Sequence, residues 1–206
     1  MEKEAPKTTL IDLLRHGEPE GGRRYRGSID DPLSERGWQQ MWHTVGDEPP
    51  WNHVISSPMN RCRAFAEALC ERHQISLAQD DRLREVGFGA WEGKTAAELK
   101  QVNAEQFFGF YQDPVRHRPE GAEILAGFCA RVAAALGDIA DQHPARHVLI
   151  VTHAGVIRAA ISMILKTSPS DLYRVSVPSA SITRLRFSAE RPPELLHHGL
   201  ATLADL

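Results

Sequence analysis

Three cysteines in 206 residues are too few and too far apart to form a disulfide framework. Cys62, Cys70 and Cys129 include no CxxC pair, so a structural zinc site is not indicated, and reduced thiols in a cytoplasmic setting are the simpler expectation. Long apolar runs are also missing. The most apolar stretch, Val148 to Leu165, is interrupted by His153 and Arg158, and no membrane span is expected. Met1 to Lys7 is charged and leads only into the short run Leu10 to Leu14, which is not the pattern of a signal peptide. The net charge of -3 gives no electrostatic case for nucleic acid or an anionic membrane as partner. No Gly/Ser linker, repeat or low-complexity tract divides the chain, so one domain over 1–206 is expected, with a short helical cap insertion around 94–121. What is present is ordinary globular material, 42% hydrophobic and 25% charged.

Brief apolar runs alternate with longer amphipathic stretches. Thr9 to Leu14, His53 to Ile55 and His147 to Thr152 read as buried strands, rich in Leu, Ile and Val and bounded by turn residues. Ser181 to Phe187 is a further strand candidate. Ser57-Pro58 reads as an N-cap and first helical proline, opening a helix toward His73. Thr95 to Glu98 fits a capping box ahead of Leu99 to Phe108. From Glu123 to Gln142, Leu125, Phe128, Val132, Leu136 and Ile139 form one apolar stripe, which Pro144 ends. Ala154-Gly155 opens another helix through Leu165, and Trp38, Met41 and Trp42 read as packing one helix onto the sheet. Strands alternating with helices predict an α/β sandwich with a mainly parallel sheet, and ligands then bind beyond the carboxyl ends of the strands.

Chemistry-bearing residues fall at those ends. The first strand runs into Arg15-His16-Gly17-Glu18, and the strand ending at Thr152 runs into His153-Ala154-Gly155. Arg61 lies just after the strand of His53 to Ile55, in the first turn of the next helix. Helix starts favour anions, and arginine forks match phosphate oxygens, so His16, His153, Arg15 and Arg61 are expected around one phosphoryl group. A neutral imidazole is a competent nucleophile toward phosphorus, and cations spread the charge of the transferring group. Glu85 is the candidate acid that protonates the leaving oxygen and then, as carboxylate, activates water.

The segments carrying these residues resemble a known family. Leu14 to Glu18 resembles the opening R-H-G-E signature of the histidine phosphatase (phosphoglycerate mutase-like) superfamily. Asp30 to Gly37 resembles its D-x-P-L-[ST]-x-x-G turn, and Ser56 to Arg61 its S-S-x-L-x-R segment. Leu83 to Gly93 resembles its L-x-E-x-x-F-G-x-W-E-G segment, and His153 to Arg158 its closing H-x-G-x-x-R. The resemblance implies His16 as phosphohistidine nucleophile, Arg15, Arg61 and His153 as phosphate-pocket residues, and Glu85 as proton donor. It implies a three-layer α/β/α sandwich, a mainly parallel sheet with one antiparallel strand, and no metal or other cofactor. Arg26-Gly27 aligns with a substrate-contacting pair. Where many relatives continue with Thr and Asn, this chain has Pro19 and Gly22; Arg23, Arg24 or Arg26 is left to compensate.

Pro119 to Val132 is similar to the P-x-G-E-S-x-x-x-F-x-x-R-V stretch of small bacterial monophosphatases, α-ribazole phosphatases of cobalamin assembly among them. The expected activity is therefore hydrolysis of a small phosphorylated metabolite, with α-ribazole-5'-phosphate as the specific guess. A phosphoglycerate mutase-type isomerase and a non-catalytic phospho-ligand-binding protein are the alternatives. Ten histidines invite a metal reading, but Pro144 separates His143 from His147, and adjacent His197 and His198 point to opposite faces of a strand. Trp91 is expected to frame the pocket, and Phe107, Phe108, Phe110 and Tyr111 to be either a cap over the site or core. The sequence leaves a homodimer open.

Overall fold

In the computed structural model, which describes residues 8–205, the brief apolar runs become the middle of one six-stranded sheet. The charged stretch Met1 to Lys7 lies outside the described residues. In chain order the elements are β1 (Thr8–Arg15), α1 (Glu35–Val45), β2 (His53–Ser56), α2 (Asn60–His73), β3 (Ser76–Gln79), α3 (Ala96–Gln112), α4 (Leu125–Gln142), β4 (His147–Thr152), α5 (Ala154–Leu165), β5 (Ile182–Ser188) and β6 (Arg191–Leu200). The strand order is β3-β2-β4-β1-β5-β6. β3, β2, β4 and β1 pair in parallel, β5 runs antiparallel to β1, and β6 antiparallel to β5. β5 is thus the single strand opposed to the rest.

Alternation along the central strands feeds two cores. Val148 and Ile150 of β4 pack with Phe128, Val132 and Leu136 of α4 and with Ile157 and Ile161 of α5. Leu149 and Val151 turn the other way, onto Met41 of α1 and Phe65 and Leu69 of α2. Strands buried on both faces read as continuous apolar runs, and this one sheet between two helical layers is the α/β/α sandwich expected.

Two helix starts differ from the sequence expectation. Ser57 does not cap α2, which begins at Asn60 after an uncapped Met59. Its hydroxyl is taken by His153 Nε2 at 2.8 Å, and Asp30 Oδ1 instead accepts from Asn60 N at 2.6 Å. α4 starts at Leu125 rather than Glu123, whose carboxylate is used elsewhere. The capping box of Thr95 and Glu98 is formed, but α3 extends to Gln112 across a kink at Asn103, whose side chain accepts from Gln106 N and starts the helix afresh.

Beneath the sheet, the buried carboxylate of Asp12 on β1 ties the central strands together. It accepts from Arg184 of β5 through Nε at 2.7 Å and NH2 at 2.8 Å, and from Trp51 Nε1 at 2.8 Å, and it meets His147 Nε2 of β4 at 2.9 Å. Removing the anion strands a largely buried guanidinium, a loss of about 3–5 kcal/mol when one partner of a buried pair is deleted. Asp12→Ala is therefore expected to lower the unfolding free energy by that amount, read in a urea titration as a lower midpoint at unchanged m-value. A loss below about 1 kcal/mol would mean the network is dispensable.

Candidate active site

β1 and β4 are neighbours, and their register pairs Arg15 with Thr152. The residues just beyond, His16 and His153, consequently emerge side by side, with ring centroids 5.2 Å apart and planes at 65°. His16 N extends the ladder to Thr152 O at 2.9 Å. Close backbone approach holds the His16 turn: a Cβ on Gly17 would strike the Gly37 carbonyl, and one on Gly37 would strike Glu18. Ser34 caps α1 through Gly37 N and donates to Glu18 O at 2.9 Å, so the segment from Asp30 to Gly37 clamps the His16 turn from the side.

His16 Nδ1 lies 2.7 Å from the Gly17 carbonyl. That oxygen can only accept, so the proton sits on Nδ1 and Nε2 carries the free lone pair. Burial, with Arg61 and Arg15 next in weight, holds the His16 pKa well below the usual histidine value. His153 is depressed likewise, by burial and then Arg61. Both imidazoles are therefore neutral at pH 7.

Arg15 donates from NH1 to Val177 O at 2.6 Å, and Arg61 from NH1 to Ile29 O at 2.9 Å. The Nε groups of Arg15 and Arg61 are buried with no acceptor among the described residues. Burial, together with the neighbouring guanidinium groups of Arg158, Arg23 and Arg61, brings the Arg15 pKa down to about 10, still charged at pH 7. Glu85 joins from an irregular segment. Its carboxylate accepts from Gly155 N at the start of α5 at 3.1 and 3.2 Å and from Val86 N at 2.9 Å. A side chain at Gly155 would occupy the place of Glu85 Oε1, which explains that glycine.

Arg15, His16, Arg61, Glu85 and His153 are thus gathered in one place. Arg26 and Gly27 serve the surrounding loop. Arg26 pairs with Asp31 at 2.6 Å and donates to Gly22 O and Glu20 O, although its charge still reaches His16. Gly27 backs onto Gly87 and the Glu92 carboxylate. Arg24 turns away to Gly21 O and Gly93 O, while the exposed Arg23 remains close enough to affect Arg15 and Tyr25. Trp91 is buried against Tyr25, Phe107 and Phe110; Phe108 and Tyr111 are largely exposed. The aromatic group from 107 to 111 is thus core on one side and surface on the other. Cys62, which carried no signal in the sequence, lies 3.6 Å from His153 Nε2 and donates to Thr152 O, its thiol kept protonated by burial. Among the described residues no cluster of His, Cys, Asp or Glu is arranged to hold a metal ion.

A doubly covered, mainly parallel sheet with two neutral histidines and two buried arginines at its carboxyl edge defines a phosphoryl-transfer class of site. The sequence model of the histidine phosphatase superfamily (branch 1) matches residues 11–199, and the chain belongs to that family. It is 28% identical to phosphoserine phosphatase 1 of Hydrogenobacter thermophilus, over 87% of this chain and 87% of that protein. To the adenosylcobalamin/alpha-ribazole phosphatase of Salmonella typhimurium it is 28% identical, over 80% and 84%. Among solved structures, Bacillus stearothermophilus YhfR superposes with a TM-score of 0.84 at 29% identity, covering 93% of this chain and 97% of that one.

The depressed histidines give a pH expectation. Unfolded histidine titrates near pH 6.5. A buried neutral histidine therefore costs stability as pH falls below that value, because the unfolded chain then binds more protons. An NMR titration of the free protein should place the His16 midpoint well below 6.5, with stability falling from pH 7 to 5. A midpoint at or above 6.5 would contradict the neutral imidazole that this geometry requires.

Proposed function

We propose that the chain is a phosphomonoesterase that works through a phosphohistidine on His16, without a metal ion, on a small phosphorylated metabolite. The observation that carries this reading is a buried, neutral His16, its Nε2 lone pair free, beside two buried arginine Nε–H groups with no acceptor among the described residues. Three anionic oxygens of a phosphoryl group would satisfy those donors, and the guanidinium charges supply the electrostatic stabilisation that phosphoryl transfer needs. His16 Nε2 attacks phosphorus, the P–O ester bond breaks, and the leaving oxygen takes a proton from Glu85. Water then gives a proton to the Glu85 carboxylate as its oxygen attacks phosphorus. The P–N bond breaks, releasing phosphate and neutral His16.

The leaving-group side is aromatic and hydroxyl-bearing. Tyr25 and Tyr111 share a hydrogen bond between their hydroxyls, and the Tyr173 pKa is pushed up to about 12, chiefly by burial, with the nearby Glu85 carboxylate contributing. Stacking surface of this kind suits α-ribazole-5'-phosphate, whose leaving group carries an aromatic base. The similarity to the Salmonella enzyme supports the same choice. Three unpaired thiols fit a cytoplasmic setting.

Hydrolysis of p-nitrophenyl phosphate by wild type should survive excess EDTA and fall by on the order of 10³ or more in His16→Ala. Loss of activity to EDTA would reject the metal-free scheme, and absence of hydrolysis across a broad phosphomonoester panel would favour a binding role. Steady interconversion of phosphoglycerates with little phosphate release would make the protein a mutase instead. Glu85→Gln should cut kcat/KM for alkyl phosphates by about 10²–10⁴-fold, the usual scale of general acid catalysis, and much less for the activated aryl ester. Equal losses on both would remove Glu85 from the acid role.

A further inference from the structure

Residues 82–87, which carry Glu85, pair with no strand and lie in no helix beyond the short 3-10 turn ending at Leu83. Their backbone polar groups are met instead largely by side chains distant in sequence: Thr152 Oγ1 donates to Leu83 O at 3.1 Å and Arg118 NH2 to Gly87 O at 2.9 Å, and Arg131 and Glu123 serve the stretch around Glu85 itself. Arg131 of α4 donates from NH1 to Arg82 O at 2.5 Å and to Arg84 O at 2.9 Å, and from NH2 to Glu85 O at 3.3 Å. The same guanidinium makes a bidentate pair with Glu123, Nε to Oε1 at 2.8 Å and NH2 to Oε2 at 2.9 Å. Glu123 Oε2 accepts from Gly87 N at 3.2 Å, and Glu123 N donates to Gly87 O at 3.1 Å. The plane of Arg131 rests on Phe128, its carbon 4.6 Å from the ring centroid.

We propose that the Glu123–Arg131 pair is a positioning device for the proton donor: it fixes the backbone on both sides of Glu85 and so sets where the carboxyl meets the leaving oxygen. This rests on the acid role given to Glu85 above. Arginine suits the task because its rigid fork spans several carbonyls at once, which the single ammonium of lysine does not. Glu123 completes it by holding the fork in plane and binding Gly87 from the other end. Neither residue hydrogen-bonds to His16, Arg15, Arg61 or His153 among the described residues; the Arg131 charge does reach His153, and Arg131→Lys keeps that charge while removing the fork. A proton donor must sit within hydrogen-bond reach of the leaving oxygen, and displacements of about 1 Å are enough to cost on the order of 10²-fold.

The test compares Arg131→Lys and Glu123→Gln with wild type on an alkyl phosphate and on p-nitrophenyl phosphate, each alone and combined with Glu85→Gln. Far-UV circular dichroism and a thermal melt establish which variants are folded. In the folded variants the loss in kcat/KM should be at least tenfold larger on the alkyl ester than on the aryl ester. In the Glu85→Gln background the same substitutions should add no further selective loss on the alkyl ester. If Arg131→Lys does not fold, the isosteric Glu123→Gln carries the comparison. Equal losses on both esters, or losses that multiply with that of Glu85→Gln, would overturn the proposal while leaving a selective Glu85→Gln intact. An unselective Glu85→Gln would remove the acid role itself and the clamp's purpose with it.

Discussion

Arginine side chains buried around a pair of histidines, with little counter-charge of their own, impose the central constraint on this structure. Arg61 is 1% exposed and Arg15 is largely enclosed, and transferring such an ion out of water costs several kcal/mol after relaxation. The fold offsets that cost with carbonyl oxygens and a few distant carboxylates. Val177 O serves Arg15 and Ile29 O serves Arg61. The loop that offers Ile29 is in turn pinned by Glu92, whose carboxylate accepts from Ser28 N, Ile29 N and Phe88 N. Asp30, one residue on, caps α2 and stands 4.0 Å from Arg61. The Nε–H groups of Arg15 and Arg61 stay unmet among the described residues, and unmet buried donors of this kind are costly enough to favour binding of an anion.

The same positive field sets the protonation state of His16. Burial and the Arg61 and Arg15 charges remove the proton from His16, and the Gly17 carbonyl decides which nitrogen keeps the one that is left. A dianion brought into that field would cancel much of it. Attraction for substrate and preparation of the imidazole are therefore two effects of one charge arrangement.

The parts of the fold that were legible in the sequence are those whose physics is local. β1, β2 and β4 showed as short Leu, Ile and Val runs because both faces of each are buried, and Arg15, His16 and His153 followed because they sit at strand ends. β3 gave no such signal, since Ser76–Gln79 is a mostly exposed edge strand. β6 was hidden by Pro192-Pro193, tolerated only because the strand lies at the sheet's edge. Ser57 had the local chemistry of an N-cap and was drawn off by His153, a partner 96 positions away. Arg131 and Glu123 looked like residues of an amphipathic helix and its entry, and only the packing of α4 against the segment before Glu85 brings them into use.

That last case reflects how a doubly wound sheet is built. Parallel strands deliver His16 and His153 to fixed points, because each is one residue past a strand whose register both neighbours determine. Glu85 has no strand to stand on. Glu85 must reach over the start of α5 from a segment with no ladder of its own, and backbone groups in that position stay ordered only if side chains replace the missing partners. The Glu123–Arg131 pair, Arg118 on Gly87 O and Thr152 Oγ1 on Leu83 O supply them. His16 and His153 are thereby tied to the sheet, while Glu85 is tied to α4 and the turn preceding it. A sequence change around α4 consequently bears first on the segment that carries Glu85, while His16 and His153 keep the positions their strands give them.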